Sequence, residues 1–405
     1  MPISKRAKSI TASPTLAISA KAKEMKAAGI DVIGFGAGEP DFDTPTHIKE
    51  AAKEAIDAGL TKYTPASGTL KLREAICKKL RQENGLEYSA SDCLISCGAK
   101  HSLFNIIFAL VDEGDEVIIP APYWVSYPEM VKMTGAEPVY VETTESSNFS
   151  LKPERLKAAI TPRTKLLILN SPSNPTGAVY GQEELKKIVE AVKEHSIFLL
   201  SDEIYEKLIY DGKEHFSPAS FDREIKERTI TVNGVSKAYA MTGWRIGYAV
   251  GPSKIIKAAS QIQSHTTSNP TSISQEAAYA AIAGSQEEVE KMRVEFDSRR
   301  KYMVERLNRI KGVSCSVPYG AFYAFANFSS FVGKGEIVDD SALASYLLEE
   351  AKVAVVPGSA FGAPGYLRFS YATSFENIKE GLDRIRKAIS FFGGKNGHRQ
   401  LAKIT

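Results

Sequence analysis

The sequence predicts an α/β fold: a large domain on a mostly parallel, seven-stranded sheet, joined to a smaller α+β domain. Three observations carry this expectation. From about residue 90 to 250, short apolar runs rich in β-branched residues alternate with longer helical patterns, which reads as strand, helix, strand repetition. After residue 285 the pattern changes to a long charged helix followed by a β-like run. The chain has 405 residues, enough for two cores.

Taken in order, residues 1–45 are expected to form an N-terminal arm and part of the small domain. Residues 46–285 form the large domain, 286–392 the small C-terminal domain, and 393–405 a Gly- and Lys-rich tail expected to be mobile. In the arm a helix is predicted to open near Ser13-Pro14, where Ser caps and Pro takes the first turn. The predicted strands are Cys93–Ser96, Glu116–Ile119, Pro138–Glu142, Lys165–Leu169, Ile197–Leu200, Thr229–Val232 and Ile246–Val250. Helical stretches such as His101–Leu110 and Glu183–Glu194 lie between them. The second part begins with the helix Gln286–Lys311 and the β-like run Tyr319–Asn327. A helix near Ser341–Ala351, two short strands and a closing helix follow. Ligands of open α/β sheets sit at the carboxyl ends of the strands, so residues there are the candidates for chemistry.

Composition narrows the function. Hydrophobic residues make up 43% and charged residues 24%, ordinary for a globular protein. A formal net charge of +3 makes no electrostatic case for nucleic acid. No run approaches the roughly 20 apolar residues of a membrane span. Cys77, Cys93, Cys97 and Cys315 are too few for a disulfide scaffold and point to a reducing cytoplasm. Cys93 and Cys97 have no second pair or nearby His, and no metal is expected.

The chemistry begins at Thr229–Lys237, TITVNGVSK, a β-rich run, a turn and a lysine. An ammonium at the end of a buried strand must be paired or neutral. Desolvation lowers its pKa and makes the amine a nucleophile for carbonyl groups. On this segment alone, an exposed turn lysine explains the pattern as well. Elsewhere, a strand runs into Ser201-Asp202-Glu203-Ile204-Tyr205, with an acid that is equally readable as a helix N-cap. Another runs into the turn Asn170–Gly177, which presents Asn174. Arg245, in Thr242-Gly243-Trp244-Arg245-Ile246-Gly247, leads into a third.

In this order and spacing, SNPTG, SDEIY, SK and GWRIGY together resemble the fold-type I pyridoxal-phosphate aminotransferases of class I. The similarity runs from Ser13–Lys23 through Ala37-Gly38-Glu39-Pro40-Asp41-Phe42 to Tyr366-Leu367-Arg368-Phe369-Ser370. It is nearest to the bacterial aspartate aminotransferases of the subgroup that also holds prephenate aminotransferases.

The resemblance implies the cofactor pyridoxal 5'-phosphate, with amino acids and 2-oxo acids as substrates. It further implies a cytoplasmic homodimer with shared active sites and no nucleic-acid or membrane partner. Lys237 then attaches the cofactor and later moves the proton, Asp202 pairs with the pyridine nitrogen, and Tyr205 and Asn174 hydrogen-bond its phenolic oxygen. Trp124 stacks on the ring, although a buried indole also simply fills space. Backbone N–H groups of Ala99 and Lys100 take the phosphate at a helix N-terminus, with Arg245 as a charged fork. Tyr63 reaches that phosphate from the partner subunit. Arg368 is implied as the clamp for the substrate α-carboxylate, with Asn174 and the backbone at Gly38 assisting.

Some positions depart from the family. The segment Gln261–Pro270 lacks the arginine that binds the distal carboxylate in animal-type enzymes, and Lys100 is implied in that role. Gly234 stands where a phosphate-binding serine is frequent, with Ser236 as the substitute. Thr11 occupies a place that tends to be basic in prephenate users. Lys5, Arg6, Lys8, Lys21 and Lys23 precede or flank the first acid, Glu24, as in a transit peptide; because the family pattern starts inside this stretch, an arm is expected instead. Gly34-Phe35-Gly36-Ala37-Gly38 looks like a dinucleotide loop, yet Pro40 and Pro45 cannot open the required helix. The resemblance implies transfer of the amino group from L-aspartate to 2-oxoglutarate, with prephenate, aromatic or alanine donors as the alternatives within the same fold. A lyase or decarboxylase on the same cofactor is a further enzymatic alternative. A DNA-binding regulator with this fold is not expected, because only the arm precedes the family pattern.

Overall fold

The computed structural model describes residues 3–12 and 14–390. The proposed capping side chain of Ser13 and the tail 393–405 lie outside the described residues.

The strands, in chain order, are β1 (Ile33–Gly34), β2 (Cys93–Ser96), β3 (Glu116–Ala121), β4 (Glu137–Glu142), β5 (Thr164–Asn170), β6 (Phe198–Asp202) and β7 (Thr229–Gly234). Then come β8 (Gly247–Val250), β9 (Ser314–Cys315), β10 (Tyr323–Asn327), β11 (Val353–Ala354), β12 (Val356–Pro357) and β13 (Tyr366–Ser370). All seven predicted strands join one sheet of order β2-β8-β7-β6-β5-β3-β4. Neighbours from β4 to β7 are parallel, and β8 runs antiparallel to both β7 and β2. The fold is the expected mixed α/β architecture with a mostly parallel central sheet.

The local reasons are plain. β2, β7 and β8 are buried at every position, as continuous apolar strands covered on both faces should be. β4 closes the sheet with exposed Glu137 and Glu142, charges that discourage edge pairing. The helix Gln182–Glu194 presents Leu185, Ile188, Val189 and Val192 to one face, with Glu183 and Glu184 in its first turn and Lys193 in its last. The helix Ala99–Leu110 covers the opposite face through Leu103, Ile106 and Ile107.

A second, antiparallel sheet has the order β12-β13-β10-β9, and β1 pairs in parallel with β11. The helices Glu287–Asn308 and Phe375–Ser390 pack beside it in one core. Gly381 is needed in the closing helix, because a Cβ there would stand 2.6 Å from the Phe35 ring. Boundaries differ from the expectations where pairing overrides composition. Tyr319 and Gly320 stay outside β10, with both amides bonded to the Gly177 carbonyl. β6 reaches Asp202 because Asp202 pairs with Asn170 on one side and Val232 on the other.

Candidate active site

The carboxyl ends of β5, β6 and β7 open into a cavity of ≈ 440 Å³. Ten of the eleven residues singled out from the sequence line it: Gly38, Ala99, Lys100, Trp124, Asn174, Asp202, Tyr205, Lys237, Arg245 and Arg368. Tyr63 does not. Its side chain is 90% exposed on the surface of this chain.

Lys237 follows β7 and reaches the base of the cavity, where its Nζ donates to the Gly38 carbonyl at 2.6 Å. Burial, and then the Arg245 charge, pull its amine down to about 8. Asp202, at the last position of β6, accepts from the Tyr127 hydroxyl at 2.6 Å and from the Ile204 amide at 3.2 Å. Burial outweighs those bonds and pushes its carboxyl up to about 6. A carboxyl so placed favours a cationic partner that can share a proton with it. Asn170 joins the two strand ends: its Nδ2 donates to the Asp202 carbonyl at 3.0 Å, and its Oδ1 accepts from the Asn174 amide at 2.8 Å.

Arg368, on β13, enters from the second sheet and is 3% exposed. Its Nη1 donates to Asn174 Oδ1 at 2.9 Å and its Nη2 to the Gly36 carbonyl at 2.8 Å. The backbone contact of Arg368 is thus at Gly36, whereas Gly38 holds Lys237. The Arg368 Nε is buried without a partner, and among the described residues no carboxylate pairs with its guanidinium. A buried guanidinium held only by neutral acceptors is a receptor for an anion.

The anion end of the cavity is built differently. The helix Ala99–Leu110 opens on Gly98 at φ 90 with no side-chain cap, leaving its first N–H groups directed outward. Arg245 adopts a left-handed conformation, φ 57, which folds its guanidinium back over Gly98. A Cβ on Gly98 would lie 2.3 Å from Arg245 Nη2, so only glycine allows this stacking. A Cβ on Gly234 would meet Gly247 Cα at 2.9 Å, which explains why no serine stands there; Ser236 lines the cavity instead. An uncapped helix start and an arginine without an ion pair among the described residues suit a phosphate; Glu39 also lines the cavity, where its Oε2 accepts from the Thr242 hydroxyl at 3.0 Å. The acid at Asp202 and the lowered amine of Lys237 suit a protonated ring and its aldehyde. The residues therefore fit pyridoxal phosphate.

Trp124 is half-buried, edge-on to Tyr127 at 5.3 Å between ring centroids. Lys100 Nζ lies 4.8 Å from the centre of the Trp124 ring. Burial, and then Arg245, lower the Lys100 pKa.

Tyr127 and Tyr323 escaped the sequence reading. Tyr127 follows Trp124 by three residues, which puts both on one face of a helical turn, and this spacing was the available signal. The Tyr323 hydroxyl lies 2.9 Å from that of Tyr205, and its ring centre 4.4 Å from the Arg368 guanidinium. Nothing local marks it, because it arrives on β10 from the second sheet. Thr15, Ser19 and Lys23 of the arm helix Pro14–Ala27 also line the cavity.

The aminotransferase class I and II family profile matches residues 30–385. An aspartate aminotransferase of Geobacillus stearothermophilus is 53% identical over 96% of this chain and 98% of its own. An aspartate/prephenate aminotransferase of Cereibacter sphaeroides is 51% identical over 92% of this chain and 95% of its own. The crystal structure of the aspartate aminotransferase from Rhizobium meliloti superposes with a TM-score of 0.93, at 48% identity, covering 96% of this chain and 99% of that one.

Proposed function

Since the chain belongs to the class I and II aminotransferases, which work with pyridoxal 5'-phosphate, we propose that it transfers the amino group of L-aspartate to 2-oxoglutarate. The products are oxaloacetate and L-glutamate. One observation supports this donor above all: the cavity sets the buried Arg368 at one place and the more exposed Lys100 at another, two cations with no ion pair to a carboxylate among the described residues. A four-carbon or five-carbon dicarboxylate offers one anion to each.

When bound, the cofactor supplies an aldehyde that captures amines and a ring that takes up electrons. Lys237, lowered toward working pH, is the nucleophile for that aldehyde, and its Nζ carries a proton to and from the substrate α-carbon. Asp202 holds the proton at the ring nitrogen while Tyr127 fixes its carboxylate. Tyr205 and Asn174 would hold the ring's phenolic oxygen, Trp124 would cover the ring, and Ala99, Lys100 and Arg245 would hold the phosphate. Arg368 orients the α-carboxylate.

The same proposal covers assembly and place. Tyr63, exposed here, serves the cofactor phosphate of a partner subunit in a cytoplasmic homodimer. The four cysteines are free, and no described helix is long and apolar enough to cross a membrane. The chain divides into the arm with part of the small domain (1–45), the cofactor domain (46–285), the small domain (286–392) and the tail (393–405). Prephenate is the second donor, supported by the names of related enzymes. Against it, Thr11 offers no cation; its amide and hydroxyl are both held by Glu129, at 2.9 and 2.8 Å.

The test is a half-reaction. The cofactor-loaded protein is mixed with single amino acids, and the conversion of the cofactor's absorbance to the amine form is followed. Aspartate and glutamate should convert it fastest. Faster conversion by phenylalanine or alanine would overturn the dicarboxylate assignment.

A further inference from the structure

The segment leaving β6 has two sides. Asp202 and Tyr205 turn into the cavity. Glu203 and Glu206, on the same short segment, turn away from it into a buried polar cluster.

Glu203 is fully buried. Its Oε1 accepts from the Ser201 hydroxyl at 2.8 Å; its Oε2 accepts from the Ser217 hydroxyl at 2.5 Å and faces His215 Nε2 at 2.9 Å. Its backbone amide donates to the Val232 carbonyl of β7 at 2.8 Å. Glu206 pairs with the buried Lys79 and accepts from Asn84 Nδ2 at 2.8 Å. Asn84 also reaches the Ser217 hydroxyl at 3.2 Å, which closes the cluster into a ring. Lys79 and Asn84 belong to the helix Leu70–Asn84, so three distant segments meet behind Asp202.

Two blander readings are weak here. The acidic groups and His215 converge within 4.8 Å, as cation ligands would. The Lys79 ammonium already sits on Glu206, however, and a second cation would be repelled. A contribution to stability alone is also a poor explanation, since buried charges gain little over well-packed apolar groups. What the cluster does supply is geometry. Three bonds on one carboxylate, with a backbone anchor beside it, leave the segment 201–206 one position.

We propose that Glu203, held by His215 and Ser217, is a positioning residue that fixes Asp202 and Tyr205 toward the cofactor ring from behind. Glu203 touches neither cofactor nor substrate. Misplacement of a catalytic group by about 1 Å costs up to roughly 100-fold in rate. Burial pulls the His215 imidazole toward neutrality, yet the Glu203 carboxylate outweighs it and raises its pKa. This strengthens the anchor rather than creating it.

The proposal rests on the placement of the ring beside Asp202, so the cofactor-loaded variants Glu203→Met, Ser217→Ala, His215→Ala and His215→Gln are compared with Asp202→Asn. Glu203→Met should lower kcat about 10- to 100-fold, with KM for aspartate within about 2-fold, because Arg368 and Lys100 are untouched. The visible circular dichroism of the bound cofactor should weaken, since the ring is no longer held in one orientation. If Glu203→Met does not fold, Ser217→Ala carries the same test, with a smaller fall in kcat. His215→Ala should lose activity, and His215→Gln, whose amide replaces the Nε2 donor, should recover it. Wild-type kcat and dichroism in Glu203→Met or Ser217→Ala would overturn the proposal. So would a loss that follows melting temperature alone with the dichroism per bound cofactor unchanged. Full activity in Asp202→Asn would instead overturn the placement of the ring itself.

Discussion

Lys100→Ala isolates substrate choice from cofactor binding. The Lys100 backbone N–H lies at the start of the helix Ala99–Leu110 and is kept in the variant, whereas the ammonium is lost. That ammonium is partly desolvated and lies 4.8 Å from the Trp124 ring centre, with its pKa lowered by burial and by Arg245. An arriving carboxylate would favour its charged form and offset that lowering. A charge-assisted contact of this kind contributes about 1.5–3 kcal/mol, or roughly 10- to 100-fold in kcat/KM. The assay is steady-state kcat/KM for aspartate and for phenylalanine in both proteins. Aspartate should lose that factor, and phenylalanine, which offers nothing to the ammonium, should lose little. An equal fall for both substrates would place the damage at the phosphate and refute the reasoning.

Lys237→Ala should fold yet lose several orders of magnitude in rate, since nucleophile and proton carrier are one residue. A borohydride-fixed protein–cofactor adduct in that variant would show that another lysine holds the cofactor. In the cofactor-free protein, the Lys237 pKa of about 8 lies below its unfolded value. The unfolded chain then binds more protons between about pH 8 and 10.5, so stability rises through that window. Lys237→Met should be the more stable protein at pH 7, with its advantage in melting temperature shrinking by pH 10. Asp202→Asn should bind cofactor but lose most of its single-turnover rate with aspartate, because an amide cannot keep the ring nitrogen protonated. A wild-type rate would reduce Asp202 to a structural group. Mixed dimers of Tyr63→Phe and Arg368→Ala should retain about half of wild-type activity if Tyr63 acts across the interface. Two equally impaired sites would place Tyr63 in its own chain's site.

Much of the site was legible because it is carried by short segments at strand ends. Asn174, Asp202, Lys237 and Arg245 each lie within a few residues of a run that is apolar, β-branched and flanked by turn residues. Strand ends were less legible than strands. β6 continues through Ser201 to Asp202 because its two neighbours pair with it there, and no property of Ser or Asp announces that pairing. The helices Thr46–Asp57, Leu70–Asn84 and Ser272–Ala283 drew no prediction, although they build much of one core, and neither did Ser253–Ser264, which packs through Ile256 and Ala259 into the core shared with the helix Ala99–Leu110.

The sequence alone determined the α/β class and the seven strands of the central sheet, which follow from local periodicity. The cofactor, and the proposal of Lys237 as the residue that holds it, came from the resemblance carried by SNPTG, SDEIY, SK and GWRIGY taken together. Tertiary structure alone decided which distant groups meet. Arg368 reaches Asn174 across 194 positions, and Lys79 reaches Glu206 across 127. It also decided that β8 runs against its neighbours, and that Tyr127 and Tyr323 stand beside Asp202 and Arg368. The physical reason is common to all of these: a contact between remote segments is set by how the sheets and helices pack. Only that packing gives a buried lysine its lowered pKa or leaves a buried arginine waiting for an anion.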